Sequence, residues 1–218
     1  MAKSILEKLP QIVKKGKEEG KAILARTFKS SNIHKETIFP NWDDEIVYKD
    51  QYINQFFEGD NLIVIEKLLK EGYAGKIDLI YLDPPFFTNS NYKGRIVVEV
   101  EKEEKIIEYL AYEDTWKEGL EFYLQMLYTR LYLMKDLLSD CGTIYVHFYY
   151  RTVHYVKIFM DEIFGEENFL NEVIWAYKSG GVSRRYYSRK HDTLLVYVKT
   201  KEYIFNPQLE KSYNRGFK

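Results

Sequence analysis

Asp83-Pro84-Pro85-Phe86 follows directly on Ile77-Asp78-Leu79-Ile80-Tyr81-Leu82, an apolar, β-prone run of the kind buried on both faces of a parallel sheet. Ligands of open α/β sheets bind beyond the carboxyl ends of the strands, and Asp83 stands at such an end. Two consecutive prolines remove two backbone donors and hold the chain extended, which presents the Asp83 carboxylate and neighbouring carbonyls rigidly beside the Phe86 ring. Acceptors next to an aromatic face suit a planar ring bearing an amino group. The ring stacks, the acceptors bind the NH2, and the nitrogen lone pair stays free to attack. Taken alone, the same four residues also read as a strand stop.

Two other stretches have a composition suited to chemistry. Gly59-Asp60-Asn61 closes a short strand and opens a helix, either as a ligand-facing acid or as an ordinary turn and cap. Residues 178–191 hold Lys178, Arg184, Arg185, Arg189 and Lys190 with no acid, interleaved with Tyr186, Tyr187 and glycines. That is the make-up of a loop that grips phosphates and stacks on bases, and also of many basic hairpin tips without such a role. Tyr112, Trp116 and Arg130 read as framework, and His147 and His154 as structural partners.

The elements that must position these groups follow from composition and periodicity. The chain has 218 residues, 45% of them apolar, which supports one domain with a sizeable core and at most a small appendage. Its 32 Lys and Arg against 33 Asp and Glu leave a net charge of −1, so any nucleic-acid surface must be local. Cys141 is the single cysteine and there are four histidines, which excludes an internal disulfide, argues against a metal site and fits a reducing cytoplasm. Apolar runs fall far short of the ~20 residues that span a bilayer, and the N-terminus mixes Lys3, Glu7, Lys14 and Lys15 with its apolar residues, unlike an export signal. The 20 Tyr and 13 Phe suit a surface that stacks on bases or a partner, beyond what a core needs.

Residues 1–30 place Ile5, Leu9, Ile12, Val13, Ile23 and Leu24 at helical spacing, and 30–52 read as a connecting segment. We expect residues 1–50 to form a helical extension and linker, and 51–218 a catalytic domain whose target-recognition region starts near 178. Within the latter, a strand at Phe56-Phe57-Glu58 precedes a helix from Leu62 that stops near Gly72 and Gly75, then the strand 77–82. Residues 87–115 are polar, with a β-prone patch at Ile96 to Val100, and such a long connection is more often functional or mobile than core. A helical stripe runs from Leu120 to Leu138, a strand from Thr143 to Phe148, a helix from Thr152 to Phe164, and two strands from Asn171 to Tyr177 and Thr193 to Lys199. The sum is a three-layer α/β domain.

In this order the residues resemble a known family. Phe57-Glu58-Gly59-Asp60-Asn61-Leu62 and Ile77-Asp78-Leu79-Ile80-Tyr81-Leu82-Asp83-Pro84-Pro85-Phe86 are similar to the signature of DNA adenine-N6 and cytosine-N4 methyltransferases. Tyr112-Glu113-Asp114-Thr115-Trp116, Gly142-Thr143-Ile144-Tyr145-Val146-His147, Met160-Asp161-Glu162-Ile163-Phe164-Gly165 and Asn171-Glu172-Val173-Ile174-Trp175 continue the match in the order of the circularly permuted β-class, which includes type III modification subunits. The resemblance implies a Rossmann-like fold, S-adenosyl-L-methionine as methyl donor, and a base flipped from double-stranded DNA as acceptor. It implies Asp83, Pro84, Pro85 and Phe86 as the catalytic set, and Asp60, Asn61 and Asp83 near the cofactor. It places Lys178, Arg184, Arg185, Tyr186, Arg189 and Lys190 on DNA, with no metal and no membrane. Adenine N6 is the favoured target because Asp opens the Pro-Pro motif; cytosine N4, or an inactive DNA-binding remnant, is the alternative.

Two departures accompany the resemblance. Tyr149-Tyr150-Arg151 stands where the family has an acidic residue, and the glycine-rich cofactor turn has no counterpart, since Gly180-Gly181 and Gly216 lack a strand-loop-helix context. The expectation is a sheet interrupted between the strand ending at Asp60 and that ending at Asp83, an unpaired edge on 77–82, and a chain incomplete at its C-terminus. Such a chain would need a complementing methyltransferase fragment, or work with a restriction subunit.

Overall fold

A computed structural model describes residues 4–26, 34–37, 54–100, 103–178 and 184–207. Most of the expected connecting segment 30–52, and the tail beyond 207, lie outside them. Helix α1 (Ile5–Ala25) carries Leu9, Ile12, Gly16, Gly20 and Ile23 at spacings of three or four residues, and those are its buried residues. Strand β1 (His34–Thr37) pairs antiparallel with β2 (Gln55–Glu58), followed by α2 (Asn61–Leu68) and a π-helical turn at Leu69–Tyr73. Gly72 ends that turn with φ of +85°, the left-handed conformation in which glycine carries no Cβ penalty.

Strand β3 (Ile77–Leu82) is succeeded by an antiparallel pair, β4 (Ser90–Val100) and β5 (Glu103–Asp114). Helix α3 (Leu120–Leu137), β6 (Leu138–Tyr149), α4 (Val153–Phe164), β7 (Phe169–Ala176) and β8 (His191–Val198) complete the chain. The principal sheet has the order β3-β6-β8-β7, with β3 parallel to β6 and the other neighbours antiparallel. It is therefore mixed.

Alternation along β6 decides which face is the core. Ile144, Val146 and Phe148 are fully buried, and Leu195 and Tyr197 on β8 join them in one cluster with residues of all four helices. The described helices thus gather on one side of the sheet, so the layers run α1, then α3 with α4, then sheet. The three layers of the α/β domain are thus two of helix and one of sheet, with β3 covered on one face rather than on both. Helix α1 lies on α3 at Gly16 and Gly20, where a Cβ would collide with the rings of Tyr128 and Tyr132. Gly16→Ala is expected to lower stability in a urea titration, because overpacking of about 1–3 kcal/mol outweighs the ~1 kcal/mol gained from helix propensity.

The strand 77–82 also departs from its expected burial. Leu79 and Tyr81 are 60% and 56% exposed, because among the described residues β3 has a partner on one edge and helices on one face only. Among the described residues, strand β2 pairs with β1 in a separate sheet from β3. The stretch 87–115, read as a long polar connection, is mostly the β4–β5 hairpin. Its register sets Ile96 opposite Ile107 and Val97 opposite Ile106, and Arg95 pairs with Glu108 at 3.0 Å. No described helix is long and apolar enough to cross a membrane.

Candidate active site

Beyond Leu82 the chain leaves the sheet and stays irregular through Asn89. Phe87 and Asn89 adopt φ of +58° and +55°, a region that non-glycine residues enter only when the surroundings impose it. Asp114, at the end of β5 and 1% exposed, imposes it here. Its Oδ1 accepts from the Phe87 amide at 3.2 Å and Trp116 Nε1 at 2.8 Å, and its Oδ2 from the Thr88 amide and hydroxyl, both at 2.7 Å. From α3, the Tyr123 hydroxyl donates to the Pro85 carbonyl at 2.5 Å, and burial pushes its pKa upward, keeping it a donor. The Asp83-Pro84-Pro85-Phe86 segment is therefore clamped from behind by two buried groups.

Two cavities open on this segment. One, about 350 Å³, is lined by Asp83, Pro84, Pro85, Phe86, Tyr92, Tyr112 and Asp114. Tyr92 and Tyr112, brought together by the hairpin register, stack with centroids 4.3 Å apart and planes 12° from parallel. Burial, then the neighbouring Tyr92, Asp114 and Asp83, raises the Tyr112 pKa, so this wall stays neutral. The other cavity, about 340 Å³, lies between Gly59-Asp60-Asn61, Leu82, Pro84, Pro85, Trp116 and the α3 residues Met126, Leu127 and Arg130. Pro84 and Pro85 line both, so one short, stiff segment borders two sites of ligand size.

Asp60 is the helix cap that the plainer reading held it to be: its Oδ1 accepts from the Leu62 amide at 2.9 Å. The same oxygen accepts from Arg130 Nη2 at 2.7 Å, while Arg130 Nε donates to Asn61 Oδ1 at 2.6 Å and Nη1 to the Met126 carbonyl at 3.1 Å. Arg130 spends its fork on fixing the Asp60-Asn61 turn and its own helix. Asp60 both caps α2 and lines the cavity.

On the sheet side, His147 Nδ1 lies 3.4 Å from Asp83 Oδ1 and 3.3 Å from the Tyr81 hydroxyl. Its ring meets Phe86 edge-on at 5.1 Å, and its Nε2 is 3.6 Å from Asp192 Oδ2. Asp192 is the register partner of Tyr149. The carboxylate facing this side of His147 thus comes from the next strand, β8.

Of the basic stretch, Lys178 and Arg184 to Lys190 are described, and 179–183 are not. Arg189 donates to the Tyr150 hydroxyl at 2.7 Å, with its guanidinium 4.7 Å from the Tyr150 ring and 4.9 Å from that of Tyr186. Hydrogen bonds from Arg151 and Arg189 lower the Tyr150 pKa. Arg184 and Arg185 are exposed, and Tyr187 is 99% exposed, so the rings and cations face solvent rather than core.

Sequence reasoning assigned Tyr112, Trp116 and Arg130 to the framework, whereas each lines a cavity. Tyr92, Asp114 and His147 were missed as site residues. The available signals were Tyr112-Glu113-Asp114-Thr115-Trp116 as a block and the placement of His147 at a strand end. His154, read as a structural partner, is exposed.

Residues 77–216 match the N6/N4 methyltransferase family described as DNA methylase. The chain is 35% identical over 159 residues to the type II methyltransferase M.EcaI of Enterobacter cloacae, covering 72% of this chain and 32% of that protein. It is 25% identical over 163 residues to the EcoP15I Mod subunit of Escherichia coli, a type III restriction-modification enzyme, covering 68% and 24% respectively. The chain therefore spans about a third or less of these relatives. Among solved structures, a crystal structure of an M1.HpyAVI–SAM complex aligns at a TM-score of 0.44 and 18% identity, over 72% of this chain and 60% of that one.

Proposed function

Because the chain belongs to the N6/N4 DNA methylase family, we propose that it moves a methyl group from S-adenosylmethionine to the exocyclic amino group of a base flipped out of duplex DNA, adenine N6 by preference, in a restriction-modification setting. The observation that carries this reading is the shared Pro84–Pro85 wall between two cavities. A transfer between two bound molecules needs two sites in contact at one edge, so that donor and acceptor atoms meet in line.

The roles follow from the linings. The cavity with Asp83 and the rings of Phe86, Tyr92 and Tyr112 offers a carboxylate to an amino group and aromatic faces to a base. Asp83 accepts from the amino N–H, holding the nitrogen lone pair toward the wall and favouring the positive charge that develops on it. The cavity with Asp60, Asn61, Arg130, Trp116, Met126 and Leu127 sets one acid and two further polar side chains against an apolar wall, which fits an adenosine with its amino group on the Asp60 carboxylate. When bound there, S-adenosylmethionine supplies an electrophilic methyl group. Lys178, Arg184, Arg185, Tyr186, Arg189 and Lys190 lie on the exposed hairpin and serve as phosphate and base contacts. The edge of β3 that has no strand partner among the described residues supports a complementing methyltransferase segment or restriction subunit as partner.

The test is transfer of labelled methyl groups from S-adenosylmethionine to mixed-sequence duplex DNA, followed by chromatography of the nucleosides. Label in N6-methyladenine supports the reading, label in N4-methylcytosine moves the target to cytosine, and none in DNA, from the chain alone and with a complementing methyltransferase segment added, overturns it. Arg130→Ala removes the fork that holds Asp60 and Asn61. It is expected to weaken S-adenosylmethionine binding about tenfold by calorimetry, the ~1.4 kcal/mol typical of one charge-assisted hydrogen bond.

A further inference from the structure

We propose that His147 is a positioning residue for Asp83, anchored in turn by Asp192, so that a line of three side chains across three strands fixes which Asp83 oxygen faces the methyl-accepting amino group. The inference rests on the methyltransferase reading and names a device within its site. Strand register builds the line. Tyr81 pairs with Tyr145 and Leu82 with Val146 in the parallel β3–β6 ladder, so the next residue on each strand, Asp83 and His147, come side by side. On the antiparallel side His147 pairs with Leu194, which makes Asp192, two residues along β8, its diagonal neighbour on the same face.

The three groups differ in how firmly they are held. Asp83 is 60% exposed, with an irregular backbone behind it, so its carboxylate needs a neighbour to select a rotamer. His147 and Asp192 are 18% and 17% exposed in their side chains. His147 is confined by the Tyr81 hydroxyl, the edge of the Phe86 ring and the Asp192 carboxylate. Its Nε2 is a buried nitrogen with no hydrogen-bond partner among the described residues, and the Asp192 oxygen at 3.6 Å stands just beyond that range. Contacts of this length in a ligand-free site tighten when substrate arrives. Donation from both ring nitrogens, Nδ1–H to Asp83 Oδ1 and Nε2–H to Asp192 Oδ2, leaves Asp83 Oδ2 for the base. Because the same ring abuts Phe86, stacking of the base and orientation of its amino group are set by one side chain.

The experiment separates the two imidazole nitrogens. Asn at 147 puts an amide N–H near the Nδ1 position, Gln near Nε2, and Leu supplies neither. Steady-state methyl transfer is measured for the wild type, for His147→Asn, His147→Gln and His147→Leu, and for Asp192→Asn, with thermal melts confirming folding. The expected result is that His147→Asn keeps kcat within about threefold, whereas His147→Gln and His147→Leu lose about tenfold to a hundredfold, the scale of a ~1 Å misplacement. KM for DNA stays within about threefold throughout. Asp192→Asn is expected to lower kcat in the His147 background and to add nothing to His147→Leu. Equal rates for the Asn and Gln variants, or a loss confined to KM, overturns the positioning role and leaves the methyltransferase reading standing. A wild type that transfers nothing, alone and with a complementing methyltransferase segment added, overturns both.

Discussion

Asp83→Ala is expected to lower methyl transfer at least a hundredfold while changing folding stability by no more than about 1 kcal/mol. The two magnitudes come from different properties of one side chain. Its exposure of 60% means that little packing is lost on truncation, and its one charged neighbour among the described residues, His147 at 3.4 Å, is a part-exposed contact worth about 0–1 kcal/mol. Its chemistry is another matter. Removal of one preorganised group that stabilises developing charge costs about 10²–10³ in kcat, and Asp83 is the acid beside Phe86 at the mouth of the cavity with the stacked tyrosines. Asp83→Asn keeps a carbonyl acceptor but loses the negative charge, and is expected to fall between wild type and Ala. Initial rates of label transfer at saturating DNA, read beside urea titrations, check both halves. An Asp83→Ala variant that keeps more than half the activity removes Asp83 from the chemistry. One that loses activity together with several kcal/mol of stability makes the effect a folding effect.

Elements whose signal is local were legible in the sequence. The stripe through Leu124, Leu127, Leu131 and Met134 made α3 plain, the run 77–82 gave β3 its bounds, and Gly165 closed α4 with φ of +96°. The β4–β5 hairpin was hidden because its apolar residues occupy both faces. Ile96 and Ile107 lie on one and Val97 and Ile106 on the other, so neither strand alternates cleanly and the charges between them read as a polar connection. Burial of β3 was misjudged for a different reason. Hydrophobicity shows what a strand can bury, whereas what covers it depends on neighbours that the strand does not encode.

The site divides along the same line. Asp83 and Asp60 follow strands directly, and a strand end is visible in one dimension. Tyr92 with Tyr112, Arg130 with Asp60, and His147 with Asp83 and Asp192 meet across 20 to 70 positions of chain, and only register or helix packing brings them together. Asp114 was concealed by its company. It is one acid in a stretch rich in acids, and the block Tyr112-Glu113-Asp114-Thr115-Trp116 marks the stretch without separating a buried acceptor of four hydrogen bonds from the exposed Glu113 beside it.

That concealed residue carries the largest expected effect on stability. Asp114→Ala is expected to destabilise the chain by about 3–5 kcal/mol, because several buried donors are left without an acceptor at about 1–3 kcal/mol each, partly offset by rearrangement. Four donors lose their acceptor at once, and two of them, Thr88 Oγ1 and Trp116 Nε1, are side chains that cannot all find replacements inside. The Phe87 and Thr88 amides lose the contacts that hold Phe87 at φ of +58°, so the backbone there is free to relax toward the ordinary left-hand side of the Ramachandran map. Pro85 keeps its bond from Tyr123, so relaxation is expected to begin at Phe86 and Phe87, which moves the stacking ring while the prolines stay. Urea unfolding followed by tryptophan fluorescence reports the stability, since Trp116 is itself one of the donors. The consequence for chemistry is distinguishable from that of Asp83→Ala: Asp114→Ala lowers activity together with stability, and Asp114→Asn, which keeps one acceptor oxygen in place, recovers part of both. A variant as stable as wild type shows that solvent replaces the buried carboxylate, and that the left-handed turn after the prolines is held by something other than the four bonds to Asp114.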